Sequence, residues 1–310
     1  MEYDLIIIGG APAGVSAAVY AARKRLKTLV IAEEVGGQSA VSDTIYNWIG
    51  TPEISGPGLA ENLRKHLDYY TKDGSLALDI GSRAEKVEKT DTGFTVSTGK
   101  SSYTTKSVLV ATGSRHRQLE TPGAANYEHK GILYCATCDG PLFSDQPVAV
   151  VGGGNAALEA VLQLSQYCSH VTLLHRSNEF RADPITVEKV KALENTTVIT
   201  NVTLTEVTGT EFVGGLKYKN NGSPDAIEQE LAVNAIFVEI GQLPNTELIK
   251  DVVTLNEYNK IVVDPMNQRT STLGIWAAGD CTNGLYHQNN IAAGDAVKAV
   301  EDLYIWLKKS

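Results

Sequence analysis

No stretch of this sequence is apolar for long enough to form a membrane-spanning helix, and none is basic enough over any length to track a phosphate backbone. With 27 lysines and arginines against 36 aspartates and glutamates, the net charge is −9, so most of the surface repels nucleic acid. The basic cluster Arg115-His116-Arg117 is too local to reverse that. Met1-Glu2-Tyr3-Asp4 lacks the basic start of a secretory signal. Cysteine is sparse as well: four in 310 residues do not build a disulfide scaffold. These absences lead us to expect a cytoplasmic protein with no membrane or nucleic-acid partner, long enough for two domains with proper cores.

Two of the four cysteines stand close together in Cys135-Ala136-Thr137-Cys138-Asp139-Gly140. A C-x-x-C pair can close a small disulfide and reopen it without unfolding the chain, which suits turnover. The spacing alone leaves two other readings open, half of a zinc site or two buried thiols with no task. Zinc needs four ligands, and Cys168 and Cys281 stand alone and far off, so no metal is expected. Asp139 is either a turn residue or a proton donor to a departing thiolate.

The N-terminus reads as a strand feeding a phosphate-binding turn. Leu5-Ile6-Ile7-Ile8 is a β-branched run suited to a strand buried on both faces, Gly9-Gly10-Ala11-Pro12-Ala13-Gly14 follows, and Val15 to Ala22 has helix-forming composition. Glycines let the backbone approach a pyrophosphate, and the helix start offers it unpaired amides. Ala11 stands where a second glycine is expected. Thr28 to Ala32 is a second strand, ending in Glu33-Glu34, where an acid commonly holds a ribose hydroxyl. The bland alternative is a Rossmann-type fold without a ligand.

A second fingerprint follows the cysteines. Val148-Ala149-Val150-Val151 is a strand, Gly152-Gly153-Gly154-Asn155-Ala156-Ala157 is G-x-G-x-x-A, and Leu158 to Tyr167 continues as a helix. The next strand, Val171 to Leu174, ends in His175-Arg176-Ser177 with Arg181 beyond, and no acid occupies the ribose position. That pattern favours a 2′-phosphate, hence NADPH over NADH, unless Arg176 and Arg181 are solvated surface residues.

Two fingerprints this far apart, with β-rich segments between and after them, imply an α/β fold of two Rossmann-like dinucleotide-binding domains of three-layer ββα type, the second inserted in the first. The segment Leu76 to Val110 reads as a β-meander, and Ile236 to Gly241 mirrors its end. Arg115 to Gly123 and Gln242 to Thr246 are candidate crossings. The expected domains are 1–114 and 246–310 around 115–245. The last part holds Ile275 to Asp280, a strand ending in an acid, and a helix from Ile291 to Leu307.

Taken in order, G-G-x-P-A-G, Gly36-Gly37-Gln38, Asn47-Trp48, Ala111-Thr112-Gly113, C-A-T-C-D-G, G-G-G-N-x-A, His175-Arg176 with Phe180-Arg181, and Ala278-Gly279-Asp280 resemble the low-molecular-weight thioredoxin reductases from first strand to last helix. Tyr134 to Phe143, Gly241 to Asn245 and Gly279 to Thr282 are also similar to the C-terminal half of the alkyl hydroperoxide reductase flavoprotein. That family carries an extra thioredoxin-like region ahead of this part, for which the chain has no room, so a stand-alone reductase is expected.

The resemblance implies FAD on Gly9, Ala11, Pro12, Ala13, Gly14 and Glu33, with Gly37, Gln38 and Asn47 bordering the flavin. Ala111, Thr112, Gly113, Gly279 and Asp280 would lie beside it, and His287, Gln288 and Ala292 at its pyrimidine edge. It implies NADPH, or NADH, on Gly152, Gly154, Asn155, Ala156, His175, Arg176, Ser177 and Arg181. It also implies Cys138 as the flavin-facing thiol, Cys135 as the attacking one, Asp139 as proton donor, thioredoxin or a thioredoxin-like protein as partner, a homodimer, and rotation of the inserted domain about its crossings. The chain departs from the family twice. His287 replaces a long basic residue, and Ser177 replaces the second arginine of an H-R-R run. A serine gives a hydrogen bond but no charge, which keeps NADH open as donor, along with ferredoxin or reduced flavin. A peroxiredoxin-linked reductase, a dithiol oxidase and a non-catalytic redox sensor are the other classes this framework could serve.

Overall fold

The computed structural model describes residues 2–42, 44–72, 74–222 and 227–309. The chain first runs β1 (Glu2–Ile8), α1 (Pro12–Arg23), β2 (Thr28–Ala32), α2 (Gly56–Thr71), β3 (Leu76–Ile80), β4 (Ala84–Lys89), β5 (Phe94–Thr98), β6 (Ser102–Val110) and β7 (Ser114–His116). It continues through β8 (Ile132–Leu133), the helical turn α3 (Ala136–Asp139), β9 (Pro147–Gly152), α4 (Asn155–Leu164), β10 (His170–Leu174), α5 (Pro184–Lys191) and β11 (Thr196–Ile199). Then come β12 (Val202–Gly209), β13 (Val213–Asn220), β14 (Gln229–Ala232), β15 (Ala235–Glu239), β16 (Gln242–Pro244), β17 (Ile275–Ala277) and α6 (Asn289–Lys309). Two compact units result, 1–115 with 243–310, and 116–242. The crossings between them include β7 and β16, which pair with each other.

In the first unit β3, β2, β1, β6 and β17 lie side by side and parallel, in that order. The run Leu5-Ile6-Ile7-Ile8 is buried throughout because both faces of this sheet are covered. Leu5, Ile7, Val30 and Leu109 pack on one side against α1, α2 and α6. Ile6, Ile8, Leu29, Ile31, Val108 and Val110 pack on the other against Val87, Phe94 and Val96 of an antiparallel meander, β4 to β6. β6 serves both layers: its first half pairs with β5, and Val108 to Val110 pair with Ile275 to Ala277. The meander starts at Ala84 and not at Leu76, since Leu76 to Ile80 pairs parallel with β2 and belongs to the central sheet. Helix α2 buries Leu59, Leu63 and Leu67, one stripe at four-residue spacing, and Ser55 caps it by accepting from Gly58 N at 3.1 Å.

The second unit repeats the three layers. Its parallel sheet runs β11-β10-β9-β15-β8. Val148, Val150, Leu173 and Phe237 meet α4 and Val190 of α5. Ala149, Val151, Leu174, Ile236 and Val238 meet Val207, Leu216 and Tyr218 of the antiparallel sheet β12-β13-β14. Strand order reverses between β9 and β15, which puts the crevice of this sheet above their carboxyl ends.

Candidate functional site

Backbone proximity accounts for the glycines of the first turn. A Cβ on Gly9, whose φ is +124°, would lie 2.1 Å from the Ala111 carbonyl oxygen, and one on Gly14 would lie 1.9 Å from that of Gly9. Helix α1 starts with Pro12, and its N-cap, Ala11, supplies no side-chain acceptor to the first-turn amides. Those donors face a ligand or solvent. The Ala11 methyl lies where a side chain on Gly37 would go, 2.7 Å from its Cβ position, so Gly37 makes room for the methyl at the second-glycine place. Glu33, just beyond β2, is exposed and 3.7 Å from Arg83.

Three further segments close around this turn. Asn245 clamps Ala111-Thr112-Gly113: Thr112 Oγ1 donates to the Asn245 carbonyl at 2.7 Å, Asn245 Nδ2 donates back to the Thr112 carbonyl at 3.0 Å, and Asn245 N reaches the Gly113 carbonyl at 3.0 Å. Gln38 Nε2 donates to the Ser114 carbonyl. Asn47 Nδ2 donates to Gln288 Oε1 at 3.1 Å, and Asn290 Nδ2 to the Asn47 carbonyl at 2.7 Å, which ties the 38–50 segment to the start of α6. Gly279, with φ +78°, has Ala13 of α1 and Ala292 of α6 within 3.5 Å of where its side chain would be, so two helix starts converge on it.

Asp280 follows, with His287 Nδ1 3.5 Å from its carboxylate. Lys260 Nζ lies 2.8 Å from His287 Nε2. An ammonium can only donate, so Nε2 accepts and the ring proton sits on Nδ1, facing Asp280. The long cation that the family resemblance places at 287 thus arrives from another loop. Burial lowers the Lys260 pKa, and the Asp280 carboxylate opposes that shift. The sequence carried no signal for this pairing.

In the second unit the glycine loop caps α4 through Gly154, again without a side-chain acceptor. A Cβ on Gly152 would meet the Glu239 carbonyl oxygen at 2.4 Å. His175 does not present its ring to the loop's open side. It is buried, its ring is stacked on Phe180 at 5.1 Å, its Nε2 donates to the Glu179 carbonyl at 3.1 Å, and it fills the space above Gly153, where a Cβ would fall 2.0 Å from it. Arg181 N donates to the Gly153 carbonyl at 2.9 Å, and Asn155 Oδ1 accepts from Asp183 N at 2.8 Å, so the segment after β10 folds back on the loop. Arg176, Ser177 and Arg181 are exposed there, and Ala156 lies in the first turn of α4.

The cysteines form a disulfide with their Cα atoms 5.3 Å apart, Cys135 at the N-cap of α3 and Cys138 within it. Both are half-buried, as is Asp139. Cys135 Sγ accepts from Cys138 N at 3.1 Å. Thr137 Oγ1 donates to Gln163 Oε1 of α4 at 3.0 Å, and Gly140 leaves room for Leu164 and Tyr167. Cys168 and Cys281 are buried thiols, each pushed up to about 11 by desolvation, and so stay protonated and inert. Among the described residues no group of three or more histidine, cysteine or acidic side chains could hold a metal ion, and no helix is long and apolar enough to cross a membrane.

Residues 3–296 match the pyridine nucleotide-disulphide oxidoreductase family. An alkyl hydroperoxide reductase component from Staphylococcus aureus is 39% identical over 98% of the chain, which spans 59% of that relative's length. Thioredoxin reductase from Streptococcus pyogenes superposes with a TM-score of 0.91 at 32% identity, covering 100% of this chain and 99% of that one. Thioredoxin reductase from Giardia duodenalis has a TM-score of 0.91 at 30% identity, covering 99% of each chain.

Proposed function

The chain belongs to the pyridine nucleotide-disulphide oxidoreductase family, and on that premise we propose that it is an FAD-dependent reductase passing electrons from NADPH to the disulfide of thioredoxin or a thioredoxin-like protein. The observation that carries this reading is the Cys135–Cys138 disulfide, in the same unit as one uncapped glycine loop while the other unit holds a second.

The first loop fits FAD. Gly9 and Gly14 leave a cradle that side chains would fill, the α1 amides await an anion, and Gly279 lets both helix starts approach. In this reading Glu33 takes the ribose, Asp280 the ribityl chain, and Gln38, Asn47, His287 and Gln288 border the ring. Bound FAD supplies two-electron transfer from a nicotinamide hydride to the disulfide. The second loop takes NADPH: Gly152, Gly154 and the α4 amides hold its pyrophosphate, and Arg176, Ser177 and Arg181 its 2′-phosphate.

Once reduced, Cys135, whose sulfur accepts from the Cys138 amide in the disulfide form, attacks through its thiolate one sulfur of the partner disulfide. That S–S bond breaks, a mixed disulfide forms, and the departing sulfur takes a proton from Asp139. The Asp139 carboxylate then takes the Cys138 proton, the Cys138 thiolate attacks Cys135 Sγ, the bond between Cys135 and the partner breaks as the Cys135–Cys138 disulfide re-forms, and the second partner sulfur leaves with the proton returned by Asp139, so that the partner departs as a dithiol. Resemblance to the thioredoxin reductases supports a homodimer and a cytoplasmic setting, the former testable by light scattering.

A second reading rests on the 39% identical relative, and gives the electrons to a component of a peroxide-reducing system. Steady-state NADPH oxidation with oxidised thioredoxin, and separately with a peroxiredoxin and peroxide, decides between them. Turnover with thioredoxin that is lost in Cys135→Ser supports the proposal, turnover only with the peroxiredoxin supports the second reading, and none with either refutes both.

A further inference from the structure

Strand order in the second unit reverses between β9 and β15, and ligands of such sheets enter the crevice above the carboxyl ends of the strands at the reversal. β9 ends in Gly152 of the glycine loop, and β15 ends in Glu239, paired with Gly152 in the sheet register. Alternation along β15 fixes which way Glu239 points. Ala235 and Phe237 face the helix layer while Ile236 and Val238 face the antiparallel sheet, so Glu239 faces α4, on the side where the glycine loop opens.

On α4 the charged residue is Glu159, one turn beyond Asn155, and its field acts on Glu239. β8 and β9 carry no ionisable side chain. The ionisable residues of β13, Lys217, Tyr218 and Lys219, belong to the opposite layer, and Lys217 is bonded to Glu206 at 2.7 Å. Glu239 is half-buried, and among the described residues no cation is paired with it. Desolvation, with the like charge of Glu159, raises its pKa to about 8. At neutral pH it is a carboxylic acid, able to donate a hydrogen bond and adding no charge. Ionised, it would place an anion in the crevice reserved for a ligand with at least two phosphates.

We infer that Glu239 must be protonated for the second site to hold its dinucleotide, which makes this residue a pH gate on nucleotide binding. The inference rests on the reading of the Gly152 loop as the NAD(P)H site. If only the protonated form binds, the dissociation constant follows the protonated fraction and rises about tenfold between pH 7 and pH 9 for a group titrating near 8.

The test is calorimetric titration of the oxidised, FAD-loaded protein with NADP⁺ and with NAD⁺ from pH 6.5 to 9.5. The native protein should lose affinity about tenfold from pH 7 to 9 and take up about three-quarters of a proton on binding at pH 8.5, read from the buffer dependence of the heat. Glu239→Gln keeps the donor and should bind with less than a twofold change over that range. Glu159→Gln removes the like charge and should start the loss at lower pH. A native affinity that is flat with pH, a Glu239→Gln affinity that still falls, or a Glu159→Gln profile that does not move overturns the gate. Absence of heat with either nucleotide at every pH refutes the site assignment instead.

Discussion

Replacing Gly14 with alanine tests the cradle of the first loop. The new methyl would sit 1.9 Å from the Gly9 carbonyl oxygen and 2.7 Å from its carbon, and both are backbone atoms that no rotamer can move aside. Restoring ordinary contact of about 3.4 Å means separating the turn from α1 by about 1.5 Å. Overpacking of this kind costs about 1–3 kcal/mol. It also turns away the amides meant for the pyrophosphate, and each charge-assisted hydrogen bond lost removes a further 1.5–3 kcal/mol or so of binding. With two such bonds misaligned, FAD affinity should fall about a hundredfold or more. The assay is the flavin-to-protein absorbance ratio after gel filtration, with a thermal melt alongside. Gly294→Ala is the control. Gly294 is an exposed position in α6 with nothing within 4 Å of the added methyl, so this variant should keep its flavin and gain about 0.5–1 kcal/mol. Gly14→Ala that keeps full flavin and the native melting temperature would refute the reasoning.

Glu239 makes stability depend on pH in a defined direction. Between its ordinary 4.5 and the folded value of about 8 the unfolded chain has lost this proton while the folded protein keeps it, so stability falls across that window and levels off above it. Glu239→Gln should gain on the native protein by no more than about 5 kcal/mol across the window, seen as a melting-temperature difference that grows from pH 5 to 8; a constant difference contradicts this. Arg181→Ala should raise KM for NADPH about tenfold or more while leaving KM for NADH nearly unchanged, since only the former carries the 2′-phosphate; equal effects would remove Arg181 from that pocket. Asp302 accepts from Trp276 Nε1 at 2.9 Å and from Arg269 at 2.6 and 3.1 Å, and Asp302→Ala should destabilise the fold by about 2–3 kcal/mol without loss of flavin, as a melt and an absorbance ratio would show.

The architecture was legible because its strongest signals are local. An unbroken apolar run such as Leu5 to Ile8 states that both faces of the strand are covered, and a glycine turn followed by an uncapped helix repeats at Gly152. Leu76 to Ile80 reads as meander in the sequence because a short half-buried strand looks alike in a parallel sheet and in a hairpin; pairing with β2 decides it. What the sequence hid lies in contacts between irregular segments. Lys260 and His287 are 27 residues apart, and no periodicity links them. His175 stands beside Arg176 in the chain, yet strand alternation and the bare backbone of Gly153 turn its ring inward while the arginine is exposed. Glu239 reads as a polar strand end until α4 is packed over it, and burial, followed by the like charge of Glu159 on that helix, raises its pKa.

Electrons are proposed to flow through Cys138 and then Cys135, and everything else about the function depends on that order. The most direct measurement is an anaerobic titration of the FAD-loaded protein with NADPH and, separately, NADH, following flavin absorbance, with oxidised thioredoxin added afterwards. We predict bleaching by NADPH in the native protein and in Cys135→Ser, with colour restored by thioredoxin in the native protein alone. A flavin that dithionite bleaches but neither nucleotide does, or one that thioredoxin reoxidises without Cys135, would contradict this order.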